Sequence, residues 1–179
     1  TLFDGLLTTK VAIDGNNSTK KLIQMINKSK FKSQLRCILI NGIAVAGFNV
    51  MDIKELNKKT KIPVIVVIRK YPNFKKIENT LKKINKQKKY KLIEKAGPVE
   101  RLSFHNHPAS GRTNLEKMRG TAEHFDKINK IYIQRKGITL KKAKEILKLT
   151  CTRSLIPEPI RVAHLIAGGI VTGESKGQA

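Results

Sequence analysis

Leu35-Arg36-Cys37-Ile38-Leu39-Ile40 runs without a break into Asn41-Gly42-Ile43-Ala44-Val45-Ala46-Gly47-Phe48-Asn49-Val50. A short apolar run stopped by Asn-Gly reads as a buried strand that delivers its last residue to the rim of a sheet. Small residues fill the loop that follows. Asn49 with Asp52 predicts a helix start, the first as cap and the second as acceptor at the third position. Pro63 to Ile68 reads as a second buried strand, so the whole segment is a βαβ unit with its C-terminal rim exposed. Open α/β sheets hold their chemistry at such rims.

Working outward, Leu2 to Ile13 alternates loosely and predicts a strand that ends at the turn Asp14-Gly15-Asn16. Asn17 or Ser18 then caps a helix carrying Leu22, Ile23 and Ile26. Beyond the βαβ unit come a basic helix over 73–89, an edge strand from Val99 to Phe104 and a short strand from Ile131 to Gln134. Thr139 caps the next helix, and a last helix spans Ile160 to Ala167 after Pro157-Glu158-Pro159. Strands and helices in this order predict a single α/β domain over 1–179, a mixed central sheet flanked by helices. At 179 residues and 40% apolar content the chain can bury a core.

Residues 103–126 break the pattern. They hold His105, His107 and His124, and their Lys117, Arg112 and Arg119 are balanced by Glu116, Glu123 and Asp126. Two imidazoles two apart on a strand share a face and could grip a metal, but no third ligand stands at a firm spacing. An exposed insertion or lid loop is the expectation.

The charge of +24, from 37 Lys and Arg against 13 Asp and Glu, asks for an anionic partner. Its placement supports nucleic acid: 73–89 puts Phe74, Ile77, Leu81 and Ile84 on one face and Lys75, Lys76, Lys82, Lys83 and Lys86 elsewhere, and Leu140 to Leu149 repeats the scheme. No aromatic stacking platform is visible in the sequence. The chain has no run of eighteen apolar residues and no basic, apolar start, so neither a membrane span nor a secretory signal is expected. Two unpatterned cysteines, Cys37 and Cys151, fit a reducing cytoplasm.

With these segments in view, the sequence resembles the archaeal family of domain of unknown function ninety-nine, which includes the endonuclease dU group and is itself similar to endonuclease V. The resemblance rests on Asp14-Gly15, on Ile40 through Asp52, on Pro63 to Val67, on Gly137-Ile138-Thr139-Leu140, on Ile156 to His164 and on Gly173 to Gly177. It implies an RNase H-like fold and Mg²⁺-dependent cleavage, with Mn²⁺ as a substitute, of DNA carrying a deaminated base such as deoxyuridine. Carboxylates on adjacent strand ends would hold the ion, which activates water and stabilises the leaving oxygen. A weakened, damaged pair is also easier to unstack. The family's first strand, with its Asp-Asp pair, would precede Thr1. Asn41 stands where endonuclease V has an Asp, and Lys136 near the position of its metal-site His.

The candidate set is then Asp14 and Asn41 for catalysis and metal, with Gly42, Phe48, Asn49, Arg69, Lys136, Arg161 and His164 for substrate. Four of them carry a plain alternative: turn chemistry for Asp14, capping for Asn49 with Asp52, surface charge for Arg69, and core packing for a His164 set among Val162, Leu165 and Ile166. Arg161 and His164, three apart, share a helix face that could meet a phosphate. Three functions stay open: a metal-dependent DNA-repair endonuclease, a non-catalytic RNase H-like protein binding DNA or RNA, and an assembly module such as a homodimer.

Overall fold

The computed structural model describes residues 3–104, 130–152 and 154–175. The expected histidine-bearing insertion lies almost wholly outside them, as do its His105, His107 and His124. Among the described residues the order is α1 (Ser18–Lys28), β1 (Ile38–Asn41), β2 (Ala44–Val45), β3 (Asn49–Val50), α2 (Ile53–Thr60), β4 (Val64–Ile68), α3 (Phe74–Lys83), α4 (Tyr90–Lys95), β5 (Glu100–Ser103), β6 (Lys130–Lys136), α5 (Leu140–Thr150) and α6 (Glu158–Thr172).

β1 and β4 pair in parallel, Ile38 against Val64 through Asn41 against Val67. This is the expected βαβ unit, with α2 as the crossover. β6 then lies antiparallel between β4 and β5, giving a mixed sheet of order β1-β4-β6-β5 with β5 at the predicted edge. Strand alternation sends side chains to two cores. Val64, Val66 and Ile40 face Ile26, Ile53 and Leu56 of α1 and α2, while Ile65 and Val67 face Ala143, Leu147 and Ile160 of α5 and α6. A strand buried on both faces explains the uninterrupted apolar run Val64–Val67, each residue of which is 0% exposed.

The structure corrects five expectations. No strand forms between residues 3 and 13: the segment has no ladder partner among the described residues, and Phe3, Leu6, Leu7 and Ile13 stay exposed. The loop after β1 is not irregular throughout, because Ala44 pairs with Val50 and Val45 with Asn49 in a small antiparallel hairpin. Asp52, not Asn49, caps α2, its carboxylate accepting the Glu55 N–H at 2.9 Å. The helix expected over 73–89 ends at Lys83, where Asn85 turns left-handed (φ 55°), and a short 3-10 turn leads into α4. The last helix extends beyond Ala167 to Thr172, closed by Gly173 in a left-handed cap.

A third, smaller core joins α3 and α4 to the hairpin: Leu81 and Ile93 pack on Val50, with Phe48, Phe74 and Ile77 around them. This core seats α3 beside the rim where β1 and β4 end.

Candidate functional site

Asp14 has φ 51° at the turn that ends the N-terminal segment. Its N–H donates to the Ala46 carbonyl at 2.8 Å, and its Oδ1 accepts the Phe48 N–H at 2.6 Å, so the carboxylate closes the hairpin tip. Gly47 makes room for it. A Cβ there would sit 2.3 Å from Asp14 Oδ1, and Gly47 has φ +75°.

Asn49 is 0% exposed, and its polar atoms serve the chain itself. Oδ1 accepts the Ser18 N–H at 3.1 Å, while Nδ2 donates to the Ala12 carbonyl at 2.9 Å and to Asn17 Oδ1 at 2.8 Å. Asn17 therefore occupies the cap position of α1 without capping it, its oxygen being used by Ala12 N–H and Asn49. One buried amide thus ties the turn, the first helix and the hairpin together.

Two lysines complete the turn, and sequence reasoning did not single them out for it. Lys89, only 6% exposed, donates to the carbonyls of Asp14 (2.8 Å), Gly15 (2.5 Å) and Phe48 (2.6 Å), which matches its three N–H donors one for one. Lys86 donates to the same Asp14 carbonyl at 2.9 Å and lies 3.8 Å from Asp14 Oδ2. Burial and the neighbouring Lys86 push the Lys89 ammonium below the ordinary lysine range, and Asp14 partly opposes them. The signal was available: Lys89 stands four before buried Ile93, on the inner face of α4's approach.

At the rim, Asn41 is exposed at the end of β1, and Gly42 N–H donates to the Val67 carbonyl at 2.9 Å. Arg69 and Lys70 follow β4 and are exposed. There the fold assembles an aromatic group that the sequence disperses. The Tyr71 ring stands edge-on to Phe74 (centroids 6.0 Å apart) and to Tyr132 (5.4 Å), the latter carried on β6 opposite Ile68. On α3, Asn73, Lys75, Lys76, Asn79, Thr80 and Lys83 line a shallow concavity of about 400 Å³.

A family model described as Endonuclease dU matches residues 1–171. The chain belongs to the Endonuclease dU family. Its relatives include UPF0215 proteins of Methanosarcina mazei, 43% identical over 98% of this chain and 80% of that protein, and of Archaeoglobus fulgidus, 34% identical over 98% and 83%. A crystal structure of a protein of unknown function from Archaeoglobus fulgidus superposes with a TM-score of 0.73 at 32% identity, covering 92% of this chain and 81% of that one.

Within this Endonuclease dU chain the expected site residues separate into groups. Asp14, Phe48 and Asn49 meet at the tip and inner side of the hairpin, whereas Asn41, Gly42 and Arg69 stand at its foot on the rim. Lys136 pairs with Val64, three residues along from the Val67 that faces Asn41, which puts it two strands across from Asn41 and about 10 Å along the strand direction toward the opposite end of the sheet. Arg161 forms a two-pronged pair with Glu158 at 2.9 and 2.5 Å, and His164 is exposed one turn on. α3 and α5, which carry the two lysine faces, pack on different cores.

The Mg²⁺ expected at Asp14 and Asn41 is tested by the donors present. One carboxylate, already accepting a backbone N–H, faces Lys86, and the ammonium of Lys89 holds the same residue's carbonyl. Asn41 adds no charge. Among the described residues no three His, Cys, Asp or Glu gather as a metal group. A hard divalent cation needs several anionic oxygens, so these residues by themselves do not fit it. Asp52 is also committed: burial would raise its pKa, but the Lys95 ammonium and the Glu55 N–H outweigh that and hold it below the usual carboxylate value.

Proposed function

We propose that this chain engages nucleic acid along α3 and the adjoining rim, and that it does so as part of a Mg²⁺-dependent DNA endonuclease of RNase H-like type acting at deaminated bases such as deoxyuridine. The observation that carries the binding half is the α3 concavity. Lys75, Lys76 and Lys83 line it, and none of the three has a carboxylate partner among the described residues, whereas Lys82 on the other side is paired with Glu78 at 2.7 Å. A row of unpaired ammoniums with amide and hydroxyl neighbours suits a phosphate backbone, and releasing its counterions drives the association. The family name supports the hydrolytic half.

A second reading, a nucleic-acid-binding protein without catalysis, is favoured by the lysines around Asp14 and by the uncharged Asn41. One experiment separates them. Labelled oligonucleotides with and without a single deoxyuridine are incubated with the protein in Mg²⁺ or in EDTA, and both retention and nicking are measured. Mg²⁺-dependent nicking at the lesion supports the endonuclease and shows that groups besides Asp14 and Asn41 complete the metal site; equal binding of both oligonucleotides with no nicking supports the binding protein. Binding that persists unchanged in Lys75→Ala/Lys76→Ala/Lys83→Ala would refute the α3 surface under either reading.

A further inference from the structure

We propose that Tyr71 is a stacking post for an unpaired nucleobase, set where the chain leaves β4 and enters the lysine-bearing helix α3. The proposal rests on the nucleic-acid reading above and adds to it the part of the nucleic acid that is recognised. Tyr71 remains 58% exposed although two other aromatic rings are packed against it. The chain has nine Phe and Tyr residues and no Trp, and three of the nine meet here. Phe74 and Tyr132 meet Tyr71 at 84° and 72°, so each braces the ring edge-on instead of stacking face to face with it. Pro72 further restricts the backbone of Tyr71.

A ring held from two sides and left open to solvent binds with little loss of side-chain freedom. Its surroundings select the ligand. Arg69 and Lys70 are exposed immediately before it in the chain, and Lys75 and Lys76 are exposed four and five residues after it on α3, so an apolar ligand would meet a cationic neighbourhood while a nucleotide would find partners for its phosphates. Bases in a duplex present no free face. The ligand is therefore a single strand, or a base turned out of a helix, and stacking is indifferent to which base it is.

The test uses single-stranded oligonucleotides containing 2-aminopurine, as DNA and as RNA of one sequence, titrated with the wild-type chain, Tyr71→Phe, Tyr71→Ala and Lys75→Ala/Lys76→Ala at several salt concentrations. Loss of one stacked base weakens binding roughly 5- to 150-fold. Tyr71→Ala is expected to show that loss together with loss of the 2-aminopurine quench, at an unchanged salt slope, because no phosphate contact is removed. Tyr71→Phe keeps both affinity and quench. The lysine pair does the opposite, lowering the slope and keeping the quench, and the backbone bound with the higher affinity is the preferred strand. Wild-type affinity and quench in Tyr71→Ala would overturn the stacking post while leaving the basic α3 surface standing. Failure of the wild-type chain to bind any oligonucleotide at low salt would overturn both.

Discussion

Replacing Lys89 by Met removes an ammonium without removing its aliphatic stem, and isolates what the three carbonyl contacts contribute. Asp14 O keeps its bond from Lys86 at 2.9 Å, so the loss falls on the Gly15 and Phe48 carbonyls. An orphaned buried acceptor costs about 1–3 kcal/mol, giving roughly 2–6 kcal/mol for the two. Relief from burying a charge offsets part of this, as the depressed Lys89 pKa indicates. A net destabilisation of about 2–4 kcal/mol is expected, large against a total stability of about 5–15 kcal/mol. Urea denaturation at constant m-value measures it. Lys88→Met is the control, because Lys88 is exposed and its loss should change stability by less than about 0.5 kcal/mol. Hydrogen exchange locates the effect: the amides of Asp14 and Phe48, which bond across the turn, should lose protection first. Equal stability of Lys89→Met and Lys88→Met would refute the clamp.

Gly47→Ala places a methyl against Asp14 Oδ1 at a backbone angle of +75°, and should cost at least about 1–2 kcal/mol in a thermal melt while releasing the Phe48 amide to exchange. Asp52→Ala removes the α2 cap for about 1 kcal/mol at neutral pH, whereas Asp52→Asn keeps most of the cap. Because the folded Asp52 pKa lies below its ordinary value, its contribution is present above that value and fades as pH falls through the folded one; an acid titration of stability should be shallower in Asp52→Asn than in wild type. Burial pushes Cys37 to about 11 and Cys151 to about 12, so both thiols should resist iodoacetamide at pH 8 until the chain is unfolded. Between the ordinary thiol pKa and those values only the unfolded chain releases the protons, so the two thiols make stability fall as pH rises, which an alkaline melt series will read.

The βαβ core was legible because it follows from local rules. The Val64–Val67 run, the stop at Asn41-Gly42 and the cap at Thr139 need no distant partner to be read. What failed depended on distant partners. Leu2 to Ile13 alternates like a strand, but alternation without a neighbouring ladder leaves Phe3 and Ile13 in water. Asn49 looks like a cap in sequence, and its side chain is taken instead by Ser18, Ala12 and Asn17, more than thirty residues away. The lysines of 73–89 read as one solvated face until Asn85 breaks the helix, after which Lys86 and Lys89 point inward. Of the candidate site, Asp14 and its partner loop were visible, whereas the convergence of Tyr71, Phe74 and Tyr132 spans sixty residues and a register that no local pattern encodes.

The clamp on Asp14 also sets an order of events. Its lysines lie 72 and 75 residues downstream of the turn they hold, beyond both strands of the parallel pair. On a ribosome adding about 5–20 residues per second, the turn waits on the order of 4–15 s for the lysine that closes it. Through that interval Asp14 and the hairpin tip are held only by the backbone and amide bonds among residues 12–49. Closing so long a loop costs more entropy than a local turn, and it happens only after α3 has been made. The turn at Asp14 therefore becomes rigid only after the parallel pair that follows it in the chain has been made.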